Sequence, residues 1–569
     1  MSDIRQYPLR PPTSAAVTLS GEPFPDSTPI VARDRLAFGC DVAALVLLAV
    51  LAAIAFRTFS DYGLGWDDYT HSQYGQLLLD YYASGFSDRR ALSFVNLYMY
   101  GGGFDMLAAL VAKVLPYDLF ATRRLVGAAV GLVGMIVVWR LGRRLGGAAA
   151  GLLALILLAT APLYYGHMFI NAKDAPFAVA MVLLLYGLVR ALQDYPRPGV
   201  WTIVIFGIGL GLSLGTRIMG GMTAFYMMLP TAIMVAHDMK AQGLRPAAAT
   251  CGLFVLRMIP GLLLGYAVMA LVWPWSVTEP LNPVRAIEYF SHFFEKPWKE
   301  MFAGQPVLVP NMPRSYLPTY LALKLPEILL LLGSAGLIGA VAAQFNRQIA
   351  PAQRACLLLV ATAVIFPVAL AIATKPAMYN GIRHFLFILP PLCVLGGLAG
   401  IFILRWLAER ARLAALAGAV VILAGLVLPI KAMIALHPYQ YAHFNTASGG
   451  VRAADNAYMV DYWGLSFKQA ADELLGILDE QGTQTPEGRR WVVAVCGPHP
   501  PAEVELGNDF LTTWNAKGAD FALMLGEFYC AELKAPELVR IEREGVVFAR
   551  VYDLRGRNLS DLFTLPPIE

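Results

Sequence analysis

The sequence predicts a mainly α-helical, polytopic membrane protein of about 11 transmembrane helices, with interfacial helices and a small C-terminal α/β domain. Of its 569 residues, 57% are hydrophobic and only 15% are charged, and the mean hydropathy is +0.56. Soluble proteins carry about 25% charged residues. The apolar residues lie in runs of about 20, the length of helix that crosses a hydrocarbon layer. These observations exclude a soluble enzyme, a disordered protein and a disulfide-rich secreted module.

The order of the apolar segments sets the predicted topology. Spans are expected at residues 37–56, 121–140, 147–164, 175–192, 200–217, 220–237, 252–272, 325–344, 355–373, 384–404 and 413–432. Short cytoplasmic loops are enriched in Lys and Arg. A cytoplasmic N-terminus places the even-numbered connections on that side, and every one of them is basic: Arg140, Arg143, Arg144, Arg190, Arg197, Lys240, Arg245, Arg347, Arg354, Arg405, Arg410 and Arg412.

Three regions follow from this topology. Residues 1–36, rich in Pro, Ser and Thr, are predicted to be a flexible cytosolic segment, and residues 37–432 to be the transmembrane domain, with outer loops at 57–120 and 273–324. Residues 433–569 are expected to form an extracytoplasmic α/β domain. We place the protein in a membrane, most simply the cytoplasmic (inner) membrane of a bacterium.

The segment 97–116 is long enough to cross the membrane, but its composition argues against a span. It contains Asp105, Lys113 and three successive glycines, and a charge at mid-bilayer costs roughly 2.5–3.5 kcal/mol. We therefore predict a helix that lies at the outer interface.

The tail combines helix and strand signals. Ser466 and Gln469 have the spacing of a capping box before a helix. Short apolar runs at 490–496, 521–525 and 546–551 predict strands. Cys496 and Cys530 can pair if the tail faces an oxidising compartment.

The loop 273–324 is aromatic and basic. Its aromatic residues are expected mostly on one helical face, lying flat in the membrane interface: Tyr289, Phe290, Phe293, Phe294, Trp298 and Phe302. Such a segment could cover an active site and exclude water. The alternative is an aromatic anchor in the membrane interface.

Carboxylates flank two of the predicted spans on one side of the membrane. Asp67, Asp68 and His71 follow the first span, and Lys173 and Asp174 precede the fourth. Two acids that converge on one face suit a general base and a partner that tunes it. Their structural alternatives are a solvated loop end and, for Asp174, a helix N-terminus whose dipole favours an acid.

Several of these segments together resemble a known family. They are Asp67-Asp68, the stretch NAKDAPF at 171–177, YNGIRHFLFILPP before the tenth span, and HPYQYAHFN and DYWGLSFKQA in the tail. They are similar to those of polyprenyl-phosphate-sugar-dependent glycosyltransferases with the GT-C fold: the protein O-mannosyltransferases and lipid A aminoarabinose transferases (glycosyltransferase family 39 and kin). The family's Asp-Glu pair is Asp-Asp here, which leaves open which carboxylate is the base. We prefer Asp67.

The resemblance implies an enzyme that moves a sugar from a polyprenyl-phosphate donor to an acceptor hydroxyl on the extracytoplasmic face. The reaction would be an inverting single displacement with a carboxylate base. The acceptor would be a glycan, a lipid or a protein. The catalytic candidates are Asp67, Asp68 and Asp174. Cations that could bind the donor phosphate are Arg383, Lys375, Arg217, Lys173 and His384, and candidates for acceptor contact or a lid are His71, Tyr316 and Tyr320.

Other expectations concern cofactors, partners and competing functions. No metal is expected to be obligatory, although two facing acids could hold a divalent ion. Membrane lipids are expected partners and nucleic acid is not, because no basic run alternates with aromatics. Deleting 437–569 should weaken acceptor use more than donor binding if the tail recognises the acceptor. The main alternative is a multi-span transporter of a lipid or small polar solute, and a non-catalytic scaffold ranks below it.

Overall fold

A computed structural model describes residues 30–291, 298–557, 559 and 561–564. The helices in these ranges are α1 (Ile30–Thr58), α2 (Asp68–Ala83), α3 (Gly103–Ala112), α4 (Leu119–Gly146), α5 (Ala148–Ala159), α6 (Pro162–Ile170), α7 (Asp174–Gln193), α8 (Val200–Thr216), α9 (Thr223–Gln242), α10 (Leu244–Val272), α11 (Asn282–Ser291), α12 (Tyr316–Lys324), α13 (Glu327–Ala342), α14 (Pro351–Thr374), α15 (Leu389–Ala408), α16 (Arg412–Ala435), α17 (Gly450–Ala454), α18 (Ser466–Glu480) and α19 (His499–Leu506). The strands are β1 (Lys299–Phe302), β2 (Gln305–Leu308), β3 (Trp491–Cys496), β4 (Phe510–Thr513), β5 (Phe521–Leu525), β6 (Glu537–Arg543) and β7 (Val546–Asp553).

All eleven segments predicted to span the membrane are helical. Within the described part of the chain, nine helices are long and apolar enough to cross a membrane. The third predicted span is the pair α5 and α6, bent by 65°, and the fifth is the shorter apolar helix α8. The predicted fold class is confirmed, and the chain is an integral membrane protein. Helix α1 begins at Ile30, earlier than the predicted start at residue 37, and residues 1–29 of the predicted flexible segment lie outside the described residues.

The segment 97–116 does not form a spanning helix. Helix α3 has 10 residues, about 15 Å of rise, and is too short to cross a membrane. The glycines before it allow close packing, because a Cβ atom on Gly101 would lie 1.3 Å from the carbonyl oxygen of Gly215 at the end of α8. The glycine run therefore brings the start of α3 against α8.

The aromatic loop is not one continuous helix, so that expectation was wrong. Helix α11 ends at Ser291, and Phe293 and Phe294 lie outside the described residues. Beyond them β1 and β2 form an antiparallel hairpin that pairs Lys299 with Leu308. A strand alternates its side chains between two faces, so Trp298 and Phe302 do not continue the face of α11.

The C-terminal part forms a five-stranded sheet in the order β4-β3-β5-β7-β6. Strands β3, β4 and β5 are parallel, whereas β7 pairs antiparallel with β5 and β6. A disulfide joins Cys496 to Cys530. The predicted strands and the helix from Ser466 are confirmed, but the capping box is not. Asp461 accepts hydrogen bonds from the backbone amides of Leu465 and Ser466 at the start of α18, and Gln469 contacts Glu473 instead.

The C-terminal domain packs on the connection between α1 and α2. The Tyr62 hydroxyl donates to Gln440 at 3.1 Å, and its ring stacks on Phe169 of α6. The backbone amide of Leu64 donates to Glu505 of α19 at 3.3 Å. These contacts hold the domain over the residues that precede α2.

Candidate active site

A polar cleft lies where several helix connections meet at one end of the bundle. Asp67 precedes α2, Lys173 precedes α7, Arg383 precedes α15, and Trp463 belongs to the segment before α18. The cleft is lined by Gly65, Asp67, Asp68, His71, Ile170, Asn171, Ala172, Lys173, Arg383 and Trp463. Four separate parts of the sequence thus contribute ionisable or aromatic groups to one space.

The two neighbouring aspartates differ sharply in environment. The side chain of Asp67 is 47% exposed, whereas that of Asp68 is 3% exposed. Asp68 Oδ2 accepts hydrogen bonds from Arg124 Nη2 at 2.8 Å and from the amide of Gly65 at 2.9 Å, and Oδ1 lies 3.8 Å from Arg123 Nε. Asp68 is therefore a buried structural partner of two arginines, and Asp67 is the carboxylate available to a bound molecule.

Cations around Asp67 favour its ionised form. Arg383 Nη1 lies 3.8 Å from Asp67 Oδ2. Partial loss of water in the cleft raises the pKa of Asp67, but the charges of Lys173 and Arg383 outweigh this effect and hold the pKa below its usual value. The carboxylate is thus ionised at neutral pH.

Asp174 is buried between two arginines at the start of α7. Its carboxylate lies 2.5 Å from Arg217 Nη2 and 3.4 Å from Arg383 Nη1. Asn171 shapes this turn, because its side-chain oxygen accepts the backbone amides of Lys173 and Asp174 while its Nδ2 donates to Asp174. Asp174 thereby fixes both guanidinium groups, and Arg383 links it to Asp67.

Lys173 faces the cleft from above an aromatic ring. Its Nζ lies 4.3 Å from the ring centre of Tyr100, a cation–π contact. Burial lowers the pKa of Lys173 to about 8, although the carboxylate of Asp67 favours the charged form. A group with this pKa carries a positive charge at neutral pH and loses it under mildly alkaline conditions.

Not every residue predicted for the site lies in the cleft. His71 lines it, whereas Lys375 is exposed at the end of α14. His384 packs edge-on against Tyr379. Tyr316 and Tyr320 are fully buried, so they do not face the cleft as a lid or an acceptor contact would require.

Tyr316 instead supports the loop that carries Arg383. Its hydroxyl donates to the buried carboxyl group of Glu300 at 2.9 Å and accepts from the amide of Gly381 at 3.0 Å. Glu300 also accepts the amide of Asn380 at 2.8 Å. The hairpin and α12 thus hold the backbone immediately before Arg383.

Sequence reasoning missed several residues of the site. Trp463 lines the cleft, and Arg383 Cζ lies 5.2 Å from the centre of its ring. The two arginines that bind the buried Asp68 were not assigned a role either. The adjacent basic pair at 123 and 124, at the start of an apolar helix, was a usable signal. Glu300 gave no signal, because its role depends on contacts between distant loops. Trp463 lies in the segment DYWGLSFKQA that resembles the family, but the segment did not indicate that this residue lines the cleft.

The space between the acids already contains a cation. The guanidinium of Arg383 lies within 4 Å of both Asp67 and Asp174. In the described ranges, no group of three or more His, Cys, Asp and Glu residues could hold a metal ion. Arg383 therefore occupies the space between the two carboxylates.

Comparisons with known proteins give one family match and several similar solved structures. Residues 103–264 match the family model described as dolichyl-phosphate-mannose-protein mannosyltransferase. No curated protein sequence matches the chain. One similar solved structure is ArnT from Cupriavidus metallidurans bound to undecaprenyl phosphate, at 15% identity and a TM-score of 0.47, covering 90% of this chain and 98% of that one. The apo state of the same protein has 16% identity and a TM-score of 0.47, covering 91% of this chain and 98% of that one. The apo oligosaccharyltransferase of Archaeoglobus fulgidus has 15% identity and a TM-score of 0.43, covering 79% of this chain and 62% of that one.

The fold defines a polytopic membrane protein, and a cleft at one end of its helix bundle is lined by Asp67, Lys173 and Arg383. Over residues 103–264, which include the NAKDAPF stretch, the chain is similar to the dolichyl-phosphate-mannose-protein mannosyltransferases. The family resemblance seen in the sequence is confirmed there.

Proposed function

We propose that the protein is a membrane glycosyltransferase that moves a sugar from a polyprenyl-phosphate donor to an acceptor hydroxyl. The observation that carries this proposal is the pairing of one accessible carboxylate, Asp67, with Lys173 and Arg383 in the same cleft. The similar proteins described as a dolichyl-phosphate-mannose-protein mannosyltransferase and as ArnT bound to undecaprenyl phosphate support the donor class.

Asp67 acts as the general base. It removes the hydroxyl proton as the acceptor oxygen attacks C1 of the sugar, and the bond from C1 to the phosphate oxygen breaks with its electron pair. Positioned general bases contribute about 10²–10⁴-fold to a rate. Displacement through a covalent sugar intermediate would need a second free carboxylate as nucleophile. Asp68 and Asp174 are each bound by arginines, so a single displacement with inversion is the reaction that this site favours.

The charge balance of the site suits a phosphate leaving group. Among the described residues, the ionised groups of the site are four acids (Asp67, Asp68, Asp105, Asp174) and five cations (Arg123, Arg124, Lys173, Arg217, Arg383). A polyprenyl-phosphate sugar is a phosphodiester with one negative charge, which matches this excess. The departing monoester has a second pKa of about 6, so negative charge grows during the reaction next to Lys173 and Arg383, which stabilise it.

We also propose that transfer takes place on the extracytoplasmic side, with the N-terminus cytoplasmic. The Cys496–Cys530 disulfide of the domain above the cleft supports this placement, because disulfides persist in oxidising compartments. Trp463 of that domain forms a wall of the cleft, so deletion of 437–569 is expected to affect donor binding as well as acceptor use.

The proposal is tested by sugar transfer in proteoliposomes. Purified protein is supplied with undecaprenyl-phosphate mannose and other polyprenyl-phosphate sugars, with a cell-envelope extract as the source of acceptor. We expect loss of the donor, release of polyprenyl phosphate and a product of inverted anomeric configuration by NMR. We expect the rate to survive EDTA, because Arg383 lies where a bridging ion would bind. Movement of intact donor across the bilayer without cleavage would instead show a transporter.

A further inference from the structure

A buried pair of a carboxylate and an imidazole, Asp105 and His71, lies beside Asp67. His71 is one turn further along α2, and its Nδ1 lies 2.7 Å from Asp105 Oδ2 of α3. Both side chains are buried, at 4% and 2% exposure. The remaining nitrogen of the ring, Nε2, is the one available to a molecule in the cleft that His71 lines.

The packing of α2 on α3 is built around this pair. A Cβ atom on Gly75 would lie 2.3 Å from the carbonyl oxygen of Asp105. Only a residue without a side chain allows α2 to approach α3 this closely, one turn after His71. The backbone thus brings the carboxylate within hydrogen-bond distance of the ring.

Asp105 has a second partner besides His71. Arg123 Nη2 lies 2.8 Å from Asp105 Oδ1, so the negative charge of Asp105 is already matched by an arginine. Asp67, Asp68, Lys173 and Arg383 line the same cleft as His71. An ionised carboxylate can only accept hydrogen bonds, so a neutral His71 must carry its proton on Nδ1 and leave the Nε2 lone pair free.

We propose that Asp105 is a positioning residue that holds His71 in the Nδ1-protonated tautomer, so that Nε2 accepts a hydrogen bond from a substrate hydroxyl beside Asp67. The inference rests on the proposed function, and it adds a second binding contact to it. The hydroxyl belongs either to the sugar of the donor or to the acceptor. His71 would orient this hydroxyl, whereas Asp67 takes the proton of the reacting one.

The tautomer is tested without any transfer reaction. The protein is labelled with ¹⁵N-histidine and studied by NMR. The signals of His71 are assigned by their absence from the spectrum of the His71→Gln variant. We expect a protonated Nδ1 and an unprotonated Nε2 at neutral pH. In Asp105→Asn, whose amide can donate as well as accept, the Nε2-protonated form should become populated. A protonated Nε2 in the unaltered protein would overturn the proposal even if the protein transfers sugars.

The binding contact is tested by comparing two substitutions of His71. Gln can place an amide oxygen near the position of Nε2, whereas the shorter Asn cannot. We expect His71→Asn to lower transfer at least tenfold and His71→Gln to recover most of that loss. If the hydroxyl is on the donor, His71→Asn weakens binding of undecaprenyl-phosphate mannose but not of undecaprenyl phosphate. If it is on the acceptor, donor binding is unchanged and only transfer falls.

A matched pair elsewhere provides the control. His437 Nε2 lies 2.8 Å from Asp61 Oδ2, and both side chains are partly exposed outside the cleft. Asp61→Asn should leave donor binding and transfer unchanged, whereas Asp105→Asn should reduce transfer in a properly folded protein. Unaltered donor binding and transfer in His71→Asn would contradict the contact. A protein with the expected tautomer but no transfer activity would instead contradict the proposed function.

Discussion

Asp67 and Asp68 are neighbours in the sequence, yet their side chains are 47% and 3% exposed. Arg124 and the amide of Gly65 hold Asp68 inside the protein. Asp67 lies in the cleft, where Arg383 is its nearest ion-pair partner. Under the proposed function the two acids have separate tasks: Asp68 supports the site, and Asp67 is the base.

Asp68→Asn should therefore reduce stability. The substitution leaves Arg124 without its charged partner, and breaking a buried ion pair costs about 3–5 kcal/mol. We expect a lower unfolding midpoint in detergent and a lower yield of folded protein. Asp80→Asn is the control, because its partner Arg90 is largely exposed and such pairs contribute about 1 kcal/mol or less. Equal midpoints for the two variants would argue against this structural role.

The pH profile should report the charge of Lys173. Its pKa of about 8 means that the positive charge is lost as the pH rises through that value. We expect kcat/KM for the donor to fall above about pH 8, since this parameter reports the free enzyme. Lys173→Arg keeps the charge and should remove the alkaline decline. The low pKa of Asp67 predicts no decline between pH 7 and 5. If kcat/KM of Lys173→Arg declines above pH 8 as it does in the unaltered protein, the decline is caused by another group.

Gly101→Ala should prevent correct packing of α3. The added Cβ atom would lie 1.3 Å from a carbonyl oxygen of α8, and neither backbone can move away without disturbing Arg217 at the end of α8. We expect loss of folded protein by size-exclusion chromatography. Gly252→Ala is the matched control in α10, since nothing lies within 4 Å of its Cβ position. Normal folding of Gly101→Ala would show that this close approach is not required.

Loss of the disulfide should destabilise the C-terminal domain. The two cysteines are 34 residues apart in the sequence. A disulfide that closes a loop of this size contributes about 3–4 kcal/mol to the free energy of unfolding. We expect Cys496→Ser with Cys530→Ser to lower the unfolding midpoint by several degrees, and Cys251→Ser, which removes a free cysteine, to leave it unchanged.

Thiol labelling of intact cells tests which side of the membrane this domain faces. Both cysteines should resist labelling until a membrane-impermeant reductant is added.

Much of the architecture was predictable because membrane spans are encoded locally. A run of about 20 apolar residues identifies a helix without knowledge of its neighbours, and all eleven predicted segments are helical. The convergence of Asp67, Asp174 and Arg383 could also be expected, since the topology places them at one end of the bundle.

Long-range contacts limited the prediction of the site. The burial of Asp68 beside the exposed Asp67 depends on Arg124, which lies 56 residues further along the chain than Asp68. The capping signal of Ser466 and Gln469 was overridden by Asp461, whose carboxylate accepts the Ser466 amide that the Gln469 side chain would bind in a capping box. Trp463 comes from a domain that docks through Tyr62 and Gln440, and no local pattern shows that docking.

The most direct test of the account is donor turnover by Asp67→Asn. The side chain is half exposed, so this variant should fold normally, bind undecaprenyl-phosphate mannose and lose about 10²–10⁴-fold in transfer rate. Asp509→Asn, at an exposed acid of the tail, should transfer at the normal rate. Transfer by Asp67→Asn at the rate of the unaltered protein would contradict the assignment of Asp67 as the base.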